Sequence, residues 1–185
     1  MALLQLSASG SALKAKERVT AALQTAWSRG SAESSPLTVA LVSFDTAATA
    51  VCIELLERAM KVHCARTNDV VLRRASDEFV AILPDTPPQG ARRVGEQIVE
   101  AMRAADDDHA HRVSVGLAVA VPDEQHSSHD LLRRAQSALE AARAKGGDTC
   151  VGGTTPARPP QGPLAQVREW LSKKKVDPDL KRQTD

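Results

Sequence analysis

Residues 69–84, DVVLRRASDEFVAILP, hold two β-rich apolar runs separated by only Ala75, Ser76 and Asp77. So tight a connection between strands makes a hairpin. Its turn carries an acidic pair, Asp77 and Glu78. A lone hairpin is marginal in water, so the rest of the chain must supply further strands and a covering layer.

Both are legible on either side. Residues 11–28 place Leu13, Val19, Leu23 and Trp27 on one face at helical spacing, and RGSAESSP after them reads as a loop. LTVALVSF at 37–44 is apolar and β-rich without a helical period, which predicts a buried strand. From Ala47 to Cys64 the pattern is helical again, with Val51, Leu55, Leu56, Ala59 and Met60 as the apolar face. Beyond the hairpin, Asp85 or Thr86 is the expected N-cap of a helix with proline in its first turn and Ala91, Val94, Ile98 and Met102 on its inner face. RVSVGLAVAVP is a strand in which Gly116 predicts a bulge or a close backbone approach. HDLLRRAQSALEAARAKGG is a helix ended by Gly146 and Gly147, and DTCVGG supplies a last short strand. One helix followed by β-α-β-β-α-β-α-β predicts an α+β fold, a split βαβ arrangement with an antiparallel sheet covered by helices.

Three regions follow: an amphipathic helix and loop over 1–34, the folded domain over 35–152, and a tail over 153–185. The tail opens on a Pro/Gly-rich linker and continues into a short amphipathic helix bearing Leu164, Val167, Trp170 and Leu171. Twenty-four basic against 23 acidic residues leave a net charge of +1, which argues against wrapping nucleic acid or lying on an anionic membrane. With two Phe, two Trp and no Tyr, a stacking platform for single strands is missing as well. Cys52, Cys64 and Cys150 share no C-x-x-C spacing and read as reduced, small apolar residues. The first ten residues lack a basic segment followed by a sustained apolar one, and no apolar run reaches spanning length. The expected location is cytoplasmic, with no membrane insertion.

The hairpin, the strand VSVGLAVA and the helix LLRRAQSALEAARAKGG together resemble the GGDEF domain of diguanylate cyclases, which join two GTP into cyclic di-GMP. The similarity covers about residues 35–152, and its specificity lies in the combination: RTND at 66–69, five residues, then the x-x-D-E-F hairpin, helix, S-V-G strand and helix. It implies a GGDEF/nucleotidyl-cyclase-like, ferredoxin-type βαββαβ core, with a mainly antiparallel sheet flanked by helices.

The resemblance also marks departures. In the family two glycines at the hairpin tip let the backbone approach the GTP phosphates; here Ala75 and Ser76 stand there. A metal-binding Asp ends the first strand of a family cyclase and works with the hairpin's first acidic residue to hold Mg²⁺. The aligned residue is Ser43, with Asp45 two positions on and Asp77 in the hairpin. A hydroxyl does not replace a carboxylate for a hard cation. The segment that would read guanine is largely deleted, since TAATAVC leads straight into the helix, and of the phosphate-binding Lys and Arg the first is Arg143 and the second Gly147. Positioning and charge stabilisation are nearly all that phosphoryl transfer asks of a protein, so the resemblance implies an inactive cyclase with no cofactor, no metal and no catalytic residue. In that reading Asp77 and Glu78 are remnants.

What the resemblance leaves intact is the R-x-x-D pair of a site that in the family binds cyclic di-GMP as product inhibitor, Arg66 and Asp69; a second Arg from the next helix completes it in the family, and the aligned position here is Gln97, with Arg93 one turn away. A guanidinium forks onto guanine O6 and N7 while a carboxylate accepts from N1 and N2. Three readings stay open: a signalling module that binds cyclic di-GMP, docks a protein partner, or both; a nucleotide-independent adaptor that docks a protein partner; and, last in order, a working cyclase. Arg66 and Asp69 equally suit a local ion pair at a turn in which Asn68 takes a left-handed conformation. Asp77 and Glu78 suit a solvated tip, and Arg73 and Arg74 a small basic cluster. His126 and His129, like His109 and His111, lie in polar loops without the clustering of a zinc site.

Overall fold

A computed structural model describes residues 2–105 and 112–153, with side chains from residue 13 onward. Helix α1 (Ala2–Glu33) is followed by β1 (Leu37–Phe44), α2 (Ala50–His63), β2 (Val70–Arg73), β3 (Glu78–Pro84), α3 (Pro88–Ala105), β4 (Val113–Ala120), α4 (Ser128–Ala144) and β5 (Cys150–Gly152). The sheet order is β2-β3-β1-β4-β5. All neighbours are antiparallel except β4 and β5, so the fold is α+β with a mainly antiparallel sheet, as the element order predicts. The expected helix bearing residues 164–171 and the histidines at 109 and 111 lie outside the described residues.

Strand alternation sorts the core into two layers. Val42, Phe44, Phe79, Ala81, Val115 and Leu117 face α2 and α3. Val39, Leu41, Val80, Ile82 and Ala118 face α1 and α4, where they meet Val19, Leu23, Leu131, Ala135 and Leu139. The central strand β1 is buried at every position.

Several sequence expectations are corrected. Helix α1 does not stop at 28. Gly30 is a packing notch rather than a break, since a Cβ there would lie 3.0 Å from Pro122 Cγ. The helix ends where Ser34 turns left-handed (φ 51) and the Ser35 N–H reaches back to the Gly30 carbonyl at 3.0 Å, a Schellman closure with serine in glycine's usual place. Leu13, placed on the inner face by spacing, is 60 % exposed. On α2 the buried face is Cys52, Leu56 and Met60, while Val51 is 66 % exposed, and Thr49 caps the helix by accepting from the Cys52 N–H. The cap of α3 is neither Asp85 nor Thr86. Pro87 supplies the first helical carbonyl, accepting from the Ala91 N–H at 2.9 Å, and Pro88 takes the first helical position. Asp85 has φ 52 and belongs to the turn before it. No helix among the described residues is long and apolar enough to cross a membrane.

Candidate functional site

The site begins with how closely α4 lies on the sheet. On the α4 face β4 presents small residues, Ser114, Gly116, Ala118 and Ala120, and a Cβ at Gly116 would sit 2.2 Å from Leu139 N and 2.3 Å from Ala135 O. The close approach read from Gly116 is therefore this helix. Ser127 starts α4 through a capping box with Asp130, and hydrogen bonding from Ser127 lowers the Asp130 pKa below its ordinary 3.8. Helix α4 ends in a second Schellman closure, with Gly146 at φ 105 and the Gly147 N–H donating to Ala142 O at 3.2 Å.

This seating carries Arg143 onto the end of β1. Its Nη2 donates to Ser43 Oγ at 2.6 Å and to the Phe44 carbonyl at 3.1 Å, and its Nε lies 3.9 Å from Asp45 Oδ1. Ser43 is buried beside its β4 partner Ser114. Asp45 is occupied at both oxygens: Oδ1 accepts from Ser114 Oγ at 2.7 Å and Oδ2 from the Asp148 N–H at 2.8 Å. Asp148 is held in turn by Arg103 of α3, at 2.7 Å. Gly147 makes room for this, with φ 73 and space for no Cβ, which would stand 2.4 Å from Asp45 Oδ2. The donor set does not fit a divalent cation: one hydroxyl, one carboxylate with both oxygens engaged, and a guanidinium already at the corner. Among the described residues no group of three His, Cys, Asp or Glu side chains is arranged to hold a metal.

The hairpin tip is likewise occupied by its own chain. Arg73 Nε donates to Ala75 O at 3.1 Å, its Nη2 to Ser76 O, and its guanidinium lies 5.8 Å from the Phe79 ring. Neither Ala75 nor Ser76 has positive φ, so the tip does not use the backbone freedom a glycine would give. Asp77 accepts from Ser76 Oγ at 3.2 Å. Glu78, opposite Ser43 in the register, is ion-paired to Arg74, which also donates to Gln136 of α4 at 3.0 Å. Glu78 and Arg74 thus fasten the hairpin to α4 and are not the free solvated groups that spacing suggests.

At the opposite end of the sheet, RTND links α2 to β2. Asp69 does not pair with the Arg66 guanidinium; its Oδ2 accepts from the Arg66 backbone N–H at 3.0 Å, and the Asp69 N–H returns to Arg66 O at 3.0 Å. Asn68 is not left-handed, because this reciprocal turn closes without it. The Arg66 guanidinium rests on Thr86 Oγ1 at 3.4 Å. Thr86 is buried, and its carbonyl accepts from Thr38 Oγ1 at 2.7 Å. Helix α2 runs from the end of β1 back to β2, and α3 from the end of β3 toward β4, so the two pack antiparallel and the loop lies at the α3 N-terminal end, the helix carrying Arg93 and Gln97. Arg93 is exposed and Gln97 half-buried, and neither side chain has a hydrogen-bond partner among the described residues.

Elsewhere, a groove of about 460 Å³ is lined by Leu117, Arg133, Arg134, Ser137, Ala138 and Gly152, none of them a residue singled out by sequence. His126 Nδ1 lies 2.8 Å from Asp123 Oδ1. The three cysteines are free, and burial pushes the Cys64 and Cys150 thiols up to about 12. Sequence reasoning missed Ser114, Asp148 and Thr86. The one signal for Ser114 was a polar residue amid the valines of a buried strand.

Comparison with known proteins follows the same lines. A family model described as "Diguanylate cyclase, GGDEF domain" matches residues 50–149. Diguanylate cyclase DgcM of Escherichia coli (strain K12) is 32% identical over 83 residues, 45% of this chain and 20% of that protein, so the match spans a fifth of the curated relative's length. Among solved structures, the GGDEF domain of DgcB from Caulobacter crescentus in complex with c-di-GMP has a TM-score of 0.65 at 17% identity, covering 74% of this chain and 86% of that one. The active GGEEF domain of a diguanylate cyclase from Vibrio cholerae reaches 0.64 at 19%, covering 73% and 94%. SiaD from Pseudomonas aeruginosa, solved with its activator SiaC, reaches 0.63 at 22%, covering 73% and 56%.

Proposed function

The chain belongs to the GGDEF family, and from that premise we propose that it is a non-catalytic member, a signalling module that binds cyclic di-GMP through Arg66 and Asp69. The observation that carries the first half is the corner at the end of β1. Ser43 offers a neutral hydroxyl where the resemblance places a metal-binding carboxylate, and Asp45, two residues on, has both oxygens engaged within the fold. The pinned tip at Ala75 and Ser76 points the same way, because Arg73 already holds the carbonyls there.

The second half is supported by the RTND loop. Its backbone is closed by Asp69, and the Arg66 guanidinium makes one long contact, to Thr86, which leaves most of its donors for a guanine edge or a phosphate. Two observations favour the adaptor reading instead: Asp69 already spends an oxygen on the Arg66 amide, and Gln97 brings no charge to complete the site. Calorimetric titration of cyclic di-GMP into wild type and Arg66→Ala separates the two. The module reading expects wild-type binding weakened at least about tenfold by the substitution, the loss of one charge-assisted contact. A wild type that takes up no cyclic di-GMP leaves the adaptor reading, with a protein partner as ligand.

A further inference from the structure

We infer that Arg143 is a built-in cation that closes the corner at the end of β1, taking up the charge position a divalent ion would need, so that restoring the missing carboxylate at position 43 would not by itself restore metal binding. The inference rests on the non-catalytic reading and adds a cause that can fail separately from it.

Helix α4 is seated closely on the sheet because Gly116 presents no side chain to it. That seating places the Arg143 guanidinium 2.6 Å from Ser43 Oγ, 3.1 Å from the Phe44 carbonyl and, through Nε, 3.9 Å from Asp45 Oδ1. A carboxylate introduced at position 43 would reach the same guanidinium with a shorter, stronger, charge-assisted bond. Position 43 is buried, so the new anion would be satisfied by the arginine before any solvated ion could lose its water. Asp45 is oriented away from service as a second ligand, since Ser114 Oγ and the Asp148 N–H each hold one of its oxygens and Arg103 holds Asp148 from α3. The corner is therefore a clasp that ties β1, β4, α4 and the α4–β5 turn through one carboxylate and one guanidinium.

The test is Mn²⁺ titration followed by the electron paramagnetic resonance signal of the free aqua ion, on wild type, Ser43→Asp, Arg143→Ala and Ser43→Asp/Arg143→Ala, with circular dichroism to verify folding. Ser43→Asp is expected to take up no more Mn²⁺ than wild type, and the double variant to bind at least tenfold more tightly than either single variant. Uptake by Ser43→Asp equal to that of the double variant overturns the inference while leaving the wild-type reading intact. So does a double variant that gains nothing, because the guanidinium is then not what closes the corner. Should the double variant fail to fold, thermal melting of Ser43→Asp against Ser43→Asn decides: the aspartate variant is expected to melt higher, with the gap narrowing in high salt, and a higher-melting asparagine variant overturns the proposal. Cyclic di-GMP formation from GTP by wild type tests the underlying reading separately.

Discussion

Replacing Gly147 by alanine perturbs the clasp at one atom. Two penalties add at this position. A residue with a Cβ held at φ 73 loses about 1 kcal/mol relative to glycine. The added Cβ would also stand 2.4 Å from Asp45 Oδ2, 1.0 Å short of ordinary contact at 3.4 Å. Relief requires the carboxylate to move away from the Asp148 N–H, now 2.8 Å from it, and losing a hydrogen bond to a charged acceptor costs about 1.5–3 kcal/mol. The expected total is about 2.5–4 kcal/mol, or a fall in Tm of about 10 °C for a domain of this size. Urea unfolding of Gly147→Ala in wild-type and Asp45→Ala backgrounds isolates the second penalty. Without the carboxylate only the backbone cost of about 1 kcal/mol should remain, giving a coupling near 2 kcal/mol. Equal costs in the two backgrounds would refute the claim that Asp45 is locked by the turn at Gly147.

Gly116→Ala should destabilise by about 3 kcal/mol or more in urea, because the new methyl meets α4 backbone and not a yielding side chain, and a loss below about 1 kcal/mol would refute the packing argument. Ser127→Ala should cost about 1 kcal/mol of stability through loss of the capping box. In the same variant the Asp130 pKa, followed by NMR, should rise back toward 3.8; because the folded value is depressed, Asp130 stabilises above the ordinary carboxylate range and that contribution is lost as pH falls through the folded value. The Cys64 thiol has the opposite sign: its folded value near 12 lies above the ordinary 9.0, so its contribution is full below pH 9.0 and lost on the way to 12. Stability should fall by about 1.4 kcal/mol per pH unit for this thiol across that window, and Cys64→Ala should flatten the slope.

Most of the fold was legible because its signals are local. LTVALVSF could only be a buried strand, the hairpin turn fixed one antiparallel pair, and the glycines at 116, 146 and 147 marked a close approach and a helix end. Errors came where tertiary contact overrode a local sign. Gly30 looked like a break and serves as a notch for Pro122, while Leu13 and Val51 fitted a helical face but lie beyond the reach of the sheet. The candidate site was legible as a set of substitutions, Ser43 and Gly147 above all, but not as a structure. Nothing in the sequence links Asp45 to Ser114 and Asp148, which are 69 and 103 residues away. The RTND loop suffered the same limit: spacing put Arg66 and Asp69 together, and only coordinates show that the carboxylate turns to the backbone and the guanidinium to Thr86.

We propose that the end of β1 has exchanged the means of holding a metal triphosphate for an internal clasp. It is tested most directly by incubating the purified protein with GTP and either Mg²⁺ or Mn²⁺ and separating the nucleotides by chromatography. No cyclic di-GMP above a protein-free control is expected with either ion. Product that accumulates with time and protein concentration, and disappears when the ion is chelated, would contradict it.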